Sequence, residues 1–140
     1  MTISNTELHR LAVQSTIRVR ELAPTRKGWD FMGYVGAALL TDYERVYTGI
    51  NLALLCGIGF CAEHSAVAEM VRHGETRIKT IVATTARGTI IPPCGRCREL
   101  LYQIDPLNLS TQVLISSDIC STLSELLPNN WQPQFDKPLA

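Results

Sequence analysis

Residues 61–104, CAEHSAVAEMVRHGETRIKTIVATTARGTIIPPCGRCRELLYQI, decide the fold. The segment 61–73 has helical character and ends at Gly74, a residue type suited to a left-handed cap. The segment 78–84 reads as a strand from its β-branched content. After a loop through Pro92 and Pro93, a second helix is expected from Cys94 to Ile104, where Pro106 stops it. Upstream, the apolar runs 34–40 and 46–51 flank the polar link 41–45 and predict an antiparallel hairpin. Downstream, 112–116 predicts a further strand. Strand, helix, strand, helix, strand after a hairpin is the pattern of parallel crossovers. The expected fold class is therefore α/β, a three-layer α/β/α sandwich with a mixed sheet of about five strands.

Around this centre, Ser4 and Glu7 have capping-box spacing, and Leu8, Leu11, Ala12, Ser15, Val19 and Leu22 recur at helical spacing. They predict an N-terminal helix of about 16 residues ending before Pro24. Between Pro24 and Gly33 no periodicity is present, so a loop is expected there, of the kind that carries substrate contacts. Residues 52–61 are small and apolar with two glycines, which predicts close backbone approach and no regular element. Thr122 and Glu125 form a second capping box opening a short helix through Leu127. The 140 residues are read as a single domain, 1–140.

Composition narrows the function classes. Hydrophobic residues make up 46% and charged residues 19%, the balance of a globular chain. Thirteen basic residues offset thirteen acidic ones with no basic block. That argues against a nucleic-acid partner. No run is long and apolar enough to cross a membrane and the first twenty residues lack a signal-peptide core, so a cytoplasmic protein without membrane association is expected. In a reducing compartment the five cysteines are read as metal ligands or catalytic groups before disulfides.

Three of those cysteines open helices. Cys61-Ala62-Glu63 begins one predicted helix and Pro93-Cys94-Gly95-Arg96-Cys97 begins the other. Positions i and i+3 share a helical face, so Cys94 and Cys97 can converge on one ion while Cys61 approaches from the neighbouring helix. Three protein ligands leave a fourth position for water, as in catalytic zinc sites. Three thiolates on a divalent cation carry net negative charge, which helix N-termini, Arg96 and Arg98 would offset while lowering the thiol pKa values. Glu63, two residues after Cys61, is placed to reach the water and move protons to a ring nitrogen and a departing amine. That is hydrolytic deamination.

C-A-E followed by P-C-G-R-C-R resembles the zinc motif of the cytidine deaminase superfamily, (H/C)-x-E and P-C-x-x-C. Gly36-Ala37-Ala38-Leu39, Thr48-Gly49-Ile50-Asn51 and Glu125-Leu126-Leu127-Pro128 are similar to segments of its free-nucleoside branch, in the same order. The resemblance implies an α/β/α deaminase fold and one Zn2+ per chain held by Cys61, Cys94 and Cys97. It also implies Glu63 as the catalytic group, Asn51 against the sugar with Ala62 among the substrate contacts, and a homotetramer or a dimer. The substrate implied is a small nucleoside. One departure is specific: cytidine deaminases typically read N-V-E where this chain reads Asn51-Leu52-Ala53. In that feature, in C-G-R-C-R and in Arg87-Gly88 the chain is similar to blasticidin-S deaminases, which act on a cytosine nucleoside antibiotic. By that similarity Arg87 meets a substrate carboxylate and Trp131 closes the pocket.

Other readings of the same residues stand beside these. The three thiols with Cys56, Cys120, His64 or His73 would make a closed structural zinc site. A thioredoxin-like role for Cys94 and Cys97 explains neither Cys61 nor Glu63. Cys56 and Cys120 read as buried small hydrophobes, and His64 as either a buttress of the site or, by default, an ordinary hydrogen-bonded histidine. With Ala53 where a sugar contact is usual, a non-catalytic zinc-stabilised nucleoside-binding protein on the same fold is the alternative to an enzyme.

Overall fold

Ile78–Thr85 (β3) is buried along nearly its whole length, as a strand covered on both faces must be, and its β-branched side chains suit that position. The computed structural model describes residues 3–22 and 32–132. Val35–Thr41 (β1) runs antiparallel beside β3, and Val46–Ile50 (β2) returns antiparallel along β1. Two short strands join the other side. Gln112–Leu114 (β5) pairs parallel with β3, and Cys120–Thr122 (β6) pairs antiparallel with β5. Ile90–Ile91, β4 in chain order, pairs with β3 outside this path. Among the described residues the sheet is mixed and has six strands, one more than expected, because two elements of two and three residues are too short to leave a periodic signal.

The helices cover both faces. Asn5–Ser15 (α1) lays Leu8 and Ala12 on Ala38, Leu40, Val82 and Leu114. On the opposite face Ala62–Arg72 (α3) and Gly95–Ile104 (α4) bury Ala62, Ala66, Val67, Met70, Leu101 and Tyr102 against Ala37, Leu39, Ile81 and Val113. Each fully buried Leu, Ile or Met in these clusters contributes roughly 1.5–3 kcal/mol of transfer free energy. Both expected crossovers are present. From β2 the chain passes through α3 to β3, and from β3 through α4 and a 3-10 turn at Pro106–Ser110 to β5.

The N-terminal helix differs from its expected form. It is interrupted at Thr16, after which Ile17–Leu22 (α2) continues. The Ser15 hydroxyl bonds to the Ala12 carbonyl at 2.7 Å and to Gly49 O, and the Thr16 hydroxyl bonds to Val13 O at 2.8 Å. Such back-bonding competes with the helical ladder and bends it. The Thr122–Glu125 capping box is present and opens Leu123–Leu126 (α5). Most of the loop expected between Pro24 and Gly33 lies outside the described residues.

Glycines on β1 and β2 let helices approach the sheet backbone. A Cβ at Gly36 would stand 2.1 Å from the Ala12 carbonyl of α1, and one at Gly49 would stand 2.4 Å from Ala66 N and 2.5 Å from Ala62 O of α3. Gly49 therefore seats the first turn of α3 directly on β2. Replacing it by Ala forces helix and strand apart and is expected to cost about 1–3 kcal/mol, read from urea unfolding.

At the other end of α3, Glu75 is only 4% exposed yet holds a charge. Tyr47 Oη donates to its Oε1 at 2.8 Å and Arg45 Nη1 at 2.9 Å. Burial alone would raise this carboxyl, but the Thr41 and Tyr47 hydroxyls and the Arg45 charge outweigh it and hold it below 4.5. Tyr47→Phe removes a hydrogen bond to a charged group and should lower stability by about 2 kcal/mol at pH 7. Because the folded pKa is depressed, this stabilisation is present above about pH 4.5 and is lost as pH falls through the folded value. The wild-type and variant unfolding curves should therefore converge in acid.

Candidate metal centre and cavity

The first turns of α3 and α4 meet beyond the carboxyl ends of β2 and β3, the end of an α/β sheet where ligands bind. Cys61 is the N-cap of α3 and Cys94 the N-cap of α4, with Cys97 in the first turn of α4. Their sulfurs are contiguous. Cys61 Sγ lies 3.6 Å from Cys94 Sγ, which lies 3.4 Å from Cys97 Sγ. Three thiolates about 2.3 Å from one tetrahedral zinc ion stand roughly 3.8 Å apart, so the observed spacing needs only small adjustment. His64 joins the cluster, its Nδ1 3.6 Å from Cys97 Sγ, and donor atoms of Cys61, His64 and Cys97 all lie within 4.8 Å of one another. This soft sulfur and nitrogen set fits one zinc ion per chain.

The thiols are electrostatically distinct. Burial pushes Cys94 up, but the amides of Cys97 and Arg96 at the start of α4, together with the neighbouring thiols, outweigh it and leave the group below 9.0. Cys61 is raised, first by burial and then by Cys94. Cys97, fully buried, is driven far above its ordinary value by burial and then by the Glu63 charge. The expectation that helix polarity lowers the thiol pKa values thus holds at Cys94, while at Cys61 and Cys97 desolvation and neighbouring negative charge win. A divalent cation is the partner that turns such a cluster into thiolates.

Glu63 sits in the second position of α3 and is 4% exposed. Burial raises its carboxyl above 4.5, opposed by its own backbone amide and the Cys97 thiol. It lines a cavity of about 480 Å³ together with Cys61, Cys94, Asn51 and Ala62. Val35, Leu52, Phe60, Ile91 and Pro92 supply the apolar wall. The expected close approach in 52–61 is seen as a backbone pairing of Leu52 with Phe60, which brings this loop over the opening. Asn51 accepts the Val35 amide on Oδ1 at 2.9 Å and so fixes the end of β2 against β1.

The cavity thus gathers Cys61, Ala62, Glu63, Cys94 and Asn51, with Cys97 directly behind Cys94. Arg87 and Trp131 do not line it. Arg87 is exposed on the turn between β3 and β4, and Trp131 is half exposed, its indole donating to Glu99 Oε1 at 2.7 Å. Arg98, expected to offset thiolate charge, instead donates to Pro93 O at 2.9 Å and Leu126 O at 3.1 Å. Arg96 remains on the cavity wall and reaches Gly59 O at 3.3 Å. His64, by default an ordinary hydrogen-bonded histidine, has the same i+3 spacing from Cys61 that pairs Cys94 with Cys97. Cys56 and Cys120, expected to be buried, are exposed.

The family model for the cytidine and deoxycytidylate deaminase zinc-binding region matches residues 13–111. The chain is 37% identical over 70 residues to a cytidine deaminase of Mycobacterium tuberculosis, an alignment covering 49% of this chain and 53% of that protein. It therefore spans about half the length of that relative. To a blasticidin-S deaminase of Bacillus cereus it is 29% identical over 107 residues, covering 68% of this chain and 74% of the relative. The crystal structure of cytidine deaminase from Mycobacterium tuberculosis superposes with a TM-score of 0.76 at 26% identity, covering 92% of this chain and 98% of that one. Among the described residues no helix is long and apolar enough to cross a membrane. The matched span contains both helix-opening cysteine motifs and the strands that carry them, and on that ground the chain belongs to the cytidine and deoxycytidylate deaminase family.

Proposed function

We propose that the protein hydrolytically deaminates a cytosine-type nucleoside or nucleoside antibiotic, cytidine, deoxycytidine or blasticidin S, to the uracil form with release of ammonia. The observation that carries this reading is the buried Glu63 carboxyl on the wall of a nucleoside-sized cavity, beside three contiguous thiols. In this reading Cys61, Cys94 and Cys97 hold the ion. Zinc, when bound, supplies the Lewis acidity that makes water a nucleophile near neutral pH. Glu63 takes one proton from the attacking water and delivers it to ring N3 as the C4–O bond forms. It then takes the remaining proton from the C4 hydroxyl and delivers it to the amine as the C4–N bond breaks, which leaves the C4 carbonyl and releases ammonia. Burial raises the Glu63 carboxyl above the ordinary value, which suits a group that must both accept and donate a proton.

Asn51 and Ala62 are assigned to substrate contact, supported by their place on the cavity wall. On similarity to blasticidin-S deaminases, Arg87 is assigned to a substrate carboxylate and Trp131 to closing the pocket, although neither lines the cavity. A homotetramer or dimer is part of the same proposal. A groove of about 530 Å³ between α3 and α4, mostly apolar through Val67, Val71, Leu100 and Ile104 but also lined by His64, supports self-association and shares Phe60 and Arg96 with the cavity.

Ala53 on the cavity wall favours the second reading, a zinc-stabilised nucleoside-binding protein without turnover. The two readings separate at Glu63. For the enzyme, cytidine, deoxycytidine or blasticidin S loses cytosine absorbance and releases ammonia, and Glu63→Gln lowers kcat by about 10³-fold or more with zinc content unchanged. If no member of the panel is turned over while ligand still binds both proteins equally, the binding-protein reading replaces it.

A further inference from the structure

His64 stands one residue after the proposed proton carrier and on the same side as Cys61, yet the function above gives it no task. Its Nδ1 lies 3.6 Å from Cys97 Sγ. The three sulfurs are contiguous through Cys94, which contacts both others, whereas among the described residues the imidazole, within 4.8 Å of the sulfurs of both Cys61 and Cys97, has its hydrogen-bond contact in the cluster with Cys97. Cys97 is also the most buried of the three, with 0% of its surface exposed, so water cannot offset charge on its sulfur. A sulfur of this kind carries negative charge once it ligates a cation. A nitrogen lone pair aimed at it would be repelled, and an N–H would be attracted.

We infer that His64 is a positioning residue, a neutral imidazole that donates its Nδ1–H to the Cys97 thiolate from outside the coordination sphere and leaves the fourth position of the metal open. The inference rests on Cys61, Cys94 and Cys97 being the ligands. The hydrogen bond stabilises the thiolate over the thiol, fixes the direction of its lone pairs and withdraws charge from a site with three anionic ligands. Arg96, the nearest cation by sequence, reaches the Gly59 carbonyl, and Arg98 reaches the carbonyls of Pro93 and Leu126. The imidazole is therefore the side chain best placed to serve the buried sulfur. Its place three residues after the N-cap Cys61 brings it back over the start of α3 toward α4.

The test uses the full chain loaded with zinc(II) or cobalt(II) and does not depend on turnover. The intensity of thiolate-to-cobalt charge transfer in the wild-type protein counts the sulfur ligands, and fewer than three would remove the ligand assignment itself. Given three, His64→Ala should move the charge-transfer band to lower energy at unchanged intensity and weaken zinc binding about tenfold or more in chelator competition. His64→Asn, whose amide nitrogen can take the place of Nδ1, should restore most of both. An unshifted band with unchanged zinc affinity in His64→Ala overturns the inference. So does failure of His64→Asn to restore either quantity. Imidazole scattering in the zinc X-ray absorption spectrum of the wild type, lost in His64→Ala, also overturns it, because the histidine would then be a fourth ligand of a closed site.

Discussion

The structure depends on the meeting of two helix starts. α3 can bring Cys61 and Glu63 to the cavity because its first turn rests on the backbone of β2 at Gly49, with no side chain between. α4 brings Cys94 and Cys97 because Arg98 ties the carbonyl of Pro93 to that of Leu126, so the start of one helix is anchored to the end of α5. The capping box of Thr122 and Glu125 holds that last helix in turn. A chain of close packing and side-chain-to-backbone hydrogen bonds, running from β2 to the C-terminal part of the fold, thus holds the two helix starts that carry the three sulfurs.

Electrostatics then divides the labour within the cluster. The start of α4 favours charge on Cys94, which the solvent also reaches, while Cys97 and Glu63 are buried. Buried groups of one sign need compensation, and a soft donor set with a cation between its members supplies it. The same burial raises the Glu63 carboxyl, which in the proposed reaction suits it to carry protons better than an exposed carboxylate. Placing the helix starts at the carboxyl ends of β2 and β3 gives this chemistry an opening, walled by apolar side chains of the 52–60 loop and of β4 and its flank.

Much of this was legible in the sequence because it is written in short-range signals. The two crossovers, the hairpin and the three thiols follow from apolar runs, β-branched segments, prolines and i, i+3 spacing. β4 and β6 were not legible, since two or three residues carry no period and their pairing is decided by β3 and β5. The break at Thr16 depends on hydroxyls that choose backbone partners, including Gly49 O more than thirty residues away. Arg98 was read from its proximity to the motif, but its direction along α4 turns it to carbonyls instead. His64 had a usable signal in its distance from Cys61, yet a histidine beside a glutamate does not by itself distinguish ligand, donor or packing. The outer substrate contacts are the least legible, because Arg87 and Trp131 lie on a turn and a tail whose placement relative to the cavity no local pattern encodes.

The central claim is that Cys61, Cys94 and Cys97 converge on a single zinc ion with Glu63 beside it. The most direct measurement is a crystal structure of the zinc-loaded protein with an anomalous difference map at the zinc edge. The account predicts one peak per chain, about 2.3 Å from each of the three sulfurs and with the Glu63 carboxylate outside the coordination sphere. A peak that omits Cys94, or one located away from the two helix starts, would contradict it.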